Sequence, residues 1–426
     1  MLRQSRKKPA HANEPFPVKS SDIKRGVLLF LFAVCVAAAF WGIAQDTFNS
    51  PENVDYQKFY LPVAQNILNG HGISLSGKPA DAYTPGFPIV LAMTLLPAKF
   101  FAVNMQALLR ISMALMYGSG CLLIFLLAKT MWDSNRAMAA AGVWACYPLT
   151  LWTIQWPTSE LPFMVAFYCA LLLILKGWTR REPGKSRASW LFCGGFALGI
   201  AMLIRPIAIG TGIVCAVLML LGKRHSLRTR LLFCLFLVCG NLVAILPWEA
   251  RLAVQTHRIL PLCNGRMSAS IVDGLTFAAP NSAEFNSRAW VPADVKSLMI
   301  GLTPLSGLDF PEFMRAAAGM AKEQPFAIIK LIGIKAARSW YGTSTGRNEK
   351  MLMIIQGFFL MLLLCSFSRI HRKYPEFRYL VFAGAVFFCY FWSMSIIVLP
   401  LVRYMVPVLG LMVVYFPAIL KEQTKD

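Results

Sequence analysis

The residues best suited to chemistry in this chain are a few carboxylates and arginines that border hydrophobic segments. Asp55 follows the first such segment, Glu160 begins another, and Arg205, Arg251 and Arg403 lie at further segment ends. A carboxylate can accept a proton from a hydroxyl group, and a guanidinium can bind a phosphate through two parallel hydrogen bonds. This combination predicts a site for an anionic ligand with a carboxylate base beside it.

Each of these charges also has a structural interpretation. Asp55 could cap a helix that starts after it, and Glu160 could stabilise the start of its own helix. An arginine at a segment end could reach lipid headgroups or pair with one of the acids. With Arg110, four arginines occupy comparable positions, and the set as a whole favours an anionic ligand.

The composition is that of a membrane protein. Hydrophobic residues make up 57% of the 426 residues and charged residues only 15%, far from the composition of a soluble domain. The net charge of +22 comes from basic residues clustered in short loops, where they determine topology. We therefore expect no nucleic-acid partner.

About ten segments approach the roughly 20 residues needed to cross hydrocarbon. The predicted spans are 26–44, 105–128, 136–153, 160–178, 188–204, 206–222, 230–248, 349–368, 378–397 and 399–420. The apolar stretch Pro88–Phe101 is shorter, and counting it as a span would place the most basic loops outside the cell. We predict that it is interfacial or re-entrant, that both termini are cytoplasmic and that the first span is an uncleaved anchor.

Two long segments, 45–104 and 249–347, then face outward. In the first, Phe59, Val63 and Ile67 follow a helical spacing, which predicts an amphipathic helix over 56–69. The second ends in Pro325–Tyr341, where Phe326, Ile329, Ile332 and Ala336 could face lipid while Lys330, Lys335 and Arg338 reach headgroup phosphates.

Nucleotide and metal motifs are weak. Gly72–Pro79 nearly matches a phosphate-binding loop, but a proline replaces the final Ser/Thr and no strand is predicted before it. The five histidines and eleven cysteines show no metal-ligand spacing, and ten of the cysteines fall in apolar segments. We predict no cofactor and no metal site, although a divalent metal requirement stays open.

The first external segment resembles that of GT-C superfamily glycosyltransferases. The resemblance is carried by Asp55-Tyr-Gln-Lys-Phe-Tyr60, by Asn69-Gly70-His-Gly72 and by Tyr83-Thr-Pro-Gly-Phe-Pro88. Ser159-Glu160, Arg205-Pro206 and Arg403-Tyr404 also recur in that superfamily. The subgroup most similar to this chain contains the protein mannosyltransferases and the aminoarabinose lipid A transferases (glycosyltransferase family 39-like).

The resemblance implies an all-α polytopic membrane enzyme that uses a polyprenyl-phosphate sugar, with inversion, on the outer side of a cell inner membrane. It implies that Asp55 and Glu160 are catalytic, that Arg205, Arg403 and Arg251 bind the donor phosphate, and that Lys58, Tyr60 and Tyr83 border the substrate cavity. The acceptor could be a glycolipid, a polysaccharide or a protein.

This chain departs from the pattern in two places. Tyr56 stands where the subgroup often has a second acid, which leaves a single carboxylate for the base. Ala82-Tyr83-Thr84 stands where the aminoarabinose enzymes have an acid and a lysine, which argues against aminoarabinose as the sugar.

The predicted organisation has five regions. They are a cytoplasmic basic tail (1–25), an N-terminal transmembrane module (26–248) with an external catalytic loop (46–104), an external loop with an interfacial helix (249–348), C-terminal transmembrane helices (349–420) and a cytoplasmic tail (421–426).

Two other classes of protein fit the hydropathy. A lipid-linked oligosaccharide polymerase or ligase would also have many spans, a large outer loop and phosphate-binding arginines. A lipid-sugar transporter would be expected to show internal repeats and ionisable groups near the bilayer midplane, and neither is evident in the sequence.

Overall fold

The computed structural model describes residues 20–44, 55–101, 103–179, 185–258, 261–263, 267–277, 291–308, 310–343, 346 and 348–420. Most of the two tails (1–19 and 421–426) and the start of the first external loop lie outside this part. The described chain is almost entirely helical, with one two-stranded hairpin. The predicted all-α polytopic class is confirmed.

The helices of the N-terminal module run from Ser20 to Thr256. They are α1 (Ser20–Ile43), a π-helical turn (Tyr56–Tyr60) continuing into α2 (Leu61–Leu68), α3 (Gly86–Phe100), α4 (Met105–Ala128), α5 (Ser134–Cys146), α6 (Pro148–Trp152), α7 (Glu160–Thr179), α8 (Lys185–Ile204), a 3₁₀ turn (Pro206–Ala208), α9 (Thr211–Leu221) and α10 (Leu227–Thr256). The hairpin strands are β1 (Ser74–Leu75) and β2 (Lys78–Pro79).

The rest of the chain continues the helical pattern. Its elements are α11 (Met267–Leu275), α12 (Ala293–Leu302), a 3₁₀ turn (Thr303–Gly307), α13 (Phe310–Glu323), α14 (Pro325–Arg338), α15 (Glu349–Lys373), a 3₁₀ turn (Pro375–Phe377), α16 (Arg378–Ile397), a 3₁₀ turn (Val402–Tyr404), α17 (Val406–Met412) and a terminal 3₁₀ segment (Val413–Ile419).

Within the described residues, seven helices are long and apolar enough to cross a membrane: α1, α4, α7, α8, α10, α15 and α16. Three of the predicted spans, 136–153, 206–222 and 399–420, are instead divided into shorter helical pieces. Pro148 stands at the break in the first of these segments, Pro206 begins the second, and the last contains Pro407 and Pro417. Proline lacks a backbone N–H and clashes with the preceding turn, so it interrupts a helix.

The predicted helix over 56–69 is present, but its first turn is π-helical. Pro88–Phe101 forms most of α3, whose 15 residues are fewer than a span usually needs. Its placement at the interface stays a prediction. The hairpin that follows α2 contains the sequence resembling a phosphate-binding loop.

The last apolar segment is central rather than lipid-facing. Every residue from 405 to 418 is buried, and two partners fix its path, one in the turn between α4 and α5 and one on α7. Trp132 Nε1 donates to the carbonyl of Val414 at 2.8 Å, and the Tyr168 hydroxyl donates to that of Pro407 at 2.8 Å. A segment that is apolar on all sides is typical of a protein core. Arg403 lies near the beginning of this buried segment.

The helix α14, which was predicted to be external, differs from prediction in its basic residues. Phe326 and Ile329 are exposed at 77% and 65% and could face lipid as expected. Lys335 and Arg338, however, are buried. Lys335 Nζ donates to the carbonyls of Ile397 and Val398, and Arg338 pairs with Glu349 at 2.6 Å. These two cations join α14 to the ends of α16 and α15, and burial lowers the pKa of Lys335 to about 7.

Candidate active site

A buried carboxylate paired with two arginines forms the centre of the site. Glu160 is the first residue of α7, Arg205 follows the last residue of α8, and Arg403 lies in the 3₁₀ turn before α17. Arg205 Nη1 lies 2.7 Å from Glu160 Oε1, and Arg403 Nε lies 4.0 Å from the same oxygen. The three residues, which are 45 or more positions apart in sequence, therefore meet as the "ion cluster" (Glu160, Arg205 and Arg403).

The two arginines differ in exposure. The side chain of Arg205 is 8% exposed and that of Glu160 is 7% exposed, whereas the side chain of Arg403 is 35% exposed. Buried charges need a partner to offset their desolvation, which Arg205 and Glu160 provide for each other. Arg403 is the cation of the cluster that a ligand can reach.

Tyr404 completes the cluster and was not among the site residues predicted from the sequence. Its ring centre lies 5.0 Å from the guanidinium carbon of Arg205 and 5.2 Å from that of Arg403. Cation–π contacts at these distances hold both guanidiniums in place. The Arg403-Tyr404 pair was noted in the sequence, but it gave no indication that the ring contacts both arginines.

Asp55 lies at the outer edge of the site, immediately before the π-helical turn. Its side chain is exposed and makes no capping hydrogen bond to the helix, so the capping interpretation is wrong. Instead, Oδ1 accepts a hydrogen bond from the Tyr83 hydroxyl at 2.9 Å. This leaves Oδ2 available to a substrate hydroxyl group.

An aromatic cluster positions Asp55 and Tyr83. The Tyr83 ring centre lies 4.2 Å from that of Phe59 and 5.4 Å from that of Tyr60, and Phe87 lies 5.0 Å from Tyr60. Aromatic pairs at these separations contribute beyond simple burial. They fasten the π-helical turn to the start of α3.

Tyr60 connects Asp55 to the ion cluster. Burial raises the pKa of its hydroxyl, the carboxylate of Asp55 raises it further, Arg205 lowers it, and Glu160 raises it. These contributions require all three charged groups to lie within electrostatic reach of one phenol. The site therefore brings Asp55, Glu160 and Arg205 within electrostatic reach of the Tyr60 hydroxyl.

A close backbone contact holds the start of α3 at this position. A Cβ atom at Gly86 would lie 2.5 Å from the carbonyl carbon and oxygen of Leu203 and 2.6 Å from the nitrogen of Ile204. Only glycine allows this approach. As a result, α3 begins against the end of α8, directly beside Arg205.

Arg251 and Lys58 do not belong to the ion cluster. Arg251 lies on α10, which continues past the boundary expected at residue 248, and its Nη2 donates to the carbonyl of Ile73 at 2.9 Å. It binds the hairpin and stacks near Trp248. Lys58 is exposed on the π-helical turn. Across the described residues, no group of three His, Cys, Asp or Glu side chains could hold a metal ion.

Residues 84–248 match the family described as dolichyl-phosphate-mannose-protein mannosyltransferase. The predicted resemblance is confirmed over this segment. It contains Glu160 and Arg205, whereas Asp55 and Arg403 lie outside it.

Among solved structures, the chain is similar to ArnT from Cupriavidus metallidurans bound to undecaprenyl phosphate. The two chains are 14% identical, and the similarity covers 92% of this chain and 76% of that one with a TM-score of 0.43. No curated protein matches the chain.

Proposed function

We propose that this protein is an integral membrane glycosyltransferase that moves a sugar from a polyprenyl-phosphate donor to a hydroxyl acceptor on the external face of the membrane. The main support is the ion cluster of Glu160, Arg205 and Arg403, which lies within electrostatic reach of Tyr60 together with the exposed carboxylate of Asp55. In this arrangement the base can activate the attacking hydroxyl group, and the anion site can bind the leaving phosphate.

In the proposed reaction, Asp55 accepts the proton of the acceptor hydroxyl group while that oxygen attacks the anomeric carbon. The bond from the anomeric carbon to the phosphate oxygen breaks on the opposite side, which inverts the configuration. The leaving lipid phosphate carries the developing negative charge, and Arg403 offsets it. Fixed positive charge at this position lowers the barrier because it is already oriented before the reaction.

The remaining residues position these groups. Tyr83 orients Asp55 through its hydrogen bond, and Glu160 and Tyr404 hold the arginines. The aromatic cluster covers one side of the site, and limiting water there protects the donor from hydrolysis. No metal-dependent step is needed in this scheme.

The test is sugar transfer by the purified protein in lipid nanodiscs, with labelled lipid-linked sugar extracted from cells that lack the protein as donor. Asp55→Asn should lower turnover at least about a hundredfold, the usual lower range for a general base. Donor binding and thermal stability should be unchanged. Asn caps helices about as well as Asp, and Asp55 makes no cap here, so a structural effect is not expected.

Asp294→Asn is the matched control, because Asp294 is another exposed external carboxylate and pairs with Lys330 rather than with the site. It should retain normal turnover. Near-normal transfer by Asp55→Asn would reject Asp55 as the base and make Glu160→Gln the next variant to measure.

A further inference from the structure

An apolar cavity lies at the opposite end of α7 from Glu160. It is a cavity of about 110 Å³ between α4, α7, α9, α16 and the buried C-terminal segment. Its lining is almost wholly apolar and includes Leu175, Trp178, Met219 and Ala383. Trp178 follows Glu160 by 18 residues on α7, which is about 27 Å at 1.5 Å per residue. The cavity is therefore separate from the candidate active site.

A basic cluster adjoins this cavity. Arg187 Nη2 lies 2.9 Å from His225 Nε2, and the Arg187 guanidinium stacks 4.8 Å from the ring centre of Phe233. Arg230 donates from Nη1 to the carbonyl of Leu220, while its Nε is buried with no hydrogen-bond partner among the described residues. Burial lowers the pKa of His225, the hydrogen bond to the Trp178 carbonyl raises it, and the neighbouring guanidiniums lower it further.

Trp178 joins the cavity to the basic cluster. Its indole ring lines the cavity and lies 4.9 Å from the ring of His225, and its carbonyl accepts from His225 at 3.0 Å and from Arg187 at 3.4 Å. Gly222 packs against the same indole, since a Cβ there would lie 2.6 Å from Trp178 Cζ2. The apolar cavity therefore ends where the basic turn (residues 222–230) begins.

Three exposed cations extend the basic cluster to the surface of this turn. Lys223, Arg224 and Arg228 are all exposed and flank His225. The positive-inside rule places this end of the bundle in the cytoplasm. A phosphate group bound at this turn would contact both the fixed guanidiniums of the basic cluster and the flexible side chains of the exposed cations.

We propose that this end of the bundle binds an anionic glycerophospholipid of the cytoplasmic leaflet, with an acyl chain in the cavity and the headgroup phosphate on the basic turn. Dry apolar cavities of about 150 Å³ bind small apolar ligands, so this cavity suits the end of an acyl chain. Basic pockets beside transmembrane helices attract anionic headgroups. The proposal does not depend on the identity of the reaction at the outer face.

Filling the cavity tests the acyl chain. Ala383→Phe would occupy it from α16, whereas Ala385→Phe on the same helix does not line it and is the matched control. Native mass spectrometry in detergent, with added phosphatidylglycerol and phosphatidylcholine of identical chains, measures binding. Phosphatidylglycerol should bind to wild type and Ala385→Phe and be largely lost from Ala383→Phe.

Removing exposed charge tests the headgroup in variants that keep the core intact. Lys223→Gln with Arg228→Gln should weaken phosphatidylglycerol binding by roughly thirtyfold, from about two surface charges. Arg372→Gln with Lys373→Gln removes the same charge from exposed positions on α15 and should leave binding unchanged. Equal binding of both lipids, equal loss in the two double variants, or full binding by Ala383→Phe would overturn the proposal.

Discussion

The two arginines of the ion cluster differ in exposure, and we propose different roles for them on that ground. Arg205 is enclosed with Glu160, so removing it would leave a buried carboxylate without its partner, which typically costs about 3–5 kcal/mol of stability. A loss of activity in Arg205→Ala would therefore not identify a phosphate ligand. Arg403 is more exposed and can be removed with a smaller structural effect.

We expect Arg403→Ala to weaken donor binding about tenfold or more, since a hydrogen bond to a charged group contributes about 1.5–3 kcal/mol. Arg205 would still neutralise Glu160, so the unfolding temperature should change little. Binding of labelled donor in nanodiscs measures the effect. Arg315→Ala, at an exposed arginine of α13, is the control. Unchanged donor affinity in Arg403→Ala would assign Arg403 to headgroup contact.

The sequence could identify Asp55, Glu160, Arg205 and Arg403 because charges are rare in this chain and these stand beside apolar segments. It could not show that Tyr404 contacts both arginines, or that Tyr83 binds Asp55, because an aromatic residue near a membrane has many ordinary positions. Arg251 was assigned to the donor phosphate on the same argument as Arg403, but it contacts the hairpin. Position at a segment end does not specify which neighbour a side chain meets.

Among the contacts between helices, the one that matters most for the site is the packing of the start of α3 against the end of α8. It places the external loop next to Arg205, and it depends on the absence of a side chain at Gly86. Helix periodicity predicted α2, but it could not predict this contact or the extension of α10 to Thr256. Pro247 lies inside this helix without ending it.

Gly86→Ala should separate α3 from α8, because the added methyl group would meet backbone atoms that cannot rotate away. We expect a loss of about 1–3 kcal/mol in stability, as for other overpacked sites, together with lower turnover. Gly307→Ala is the control, since a Cβ there meets nothing within 4 Å. Thermal unfolding and transfer assays on both variants measure the effect. Equal stability of the two variants would show that the contact tolerates a methyl group.

For the whole molecule, the alternation of basic loops predicts which end of the bundle faces outward, and hydropathy predicts the number of apolar segments. Neither predicts that the last segment is the buried centre of the bundle, because an apolar segment has the same hydropathy pattern whether it faces lipid or protein. The burial of residues 405–418 explains how a near-terminal Arg403 reaches a site formed by the N-terminal module.

The proposed orientation makes a direct prediction for cysteine labelling in a background without native cysteines. Ser186→Cys and Ser226→Cys, at the basic end, should resist a membrane-impermeant maleimide in intact cells. Glu312→Cys on α13 should react, because it lies in the segment predicted to be external. All three positions are exposed. Labelling of either serine position from outside would place the candidate active site on the cytoplasmic face.

The most direct test of the central claim, transfer from a polyprenyl-phosphate monosaccharide, is lipid mass spectrometry of cells with and without the protein after feeding labelled sugar. A polyprenyl phosphate carrying one sugar should accumulate when the protein is missing, and it should accumulate equally when Asp55→Asn replaces wild type. Restoring wild type should consume it. Accumulation of polyprenyl-pyrophosphate oligosaccharides instead, or an unchanged pool of lipid-linked sugars, would contradict the account.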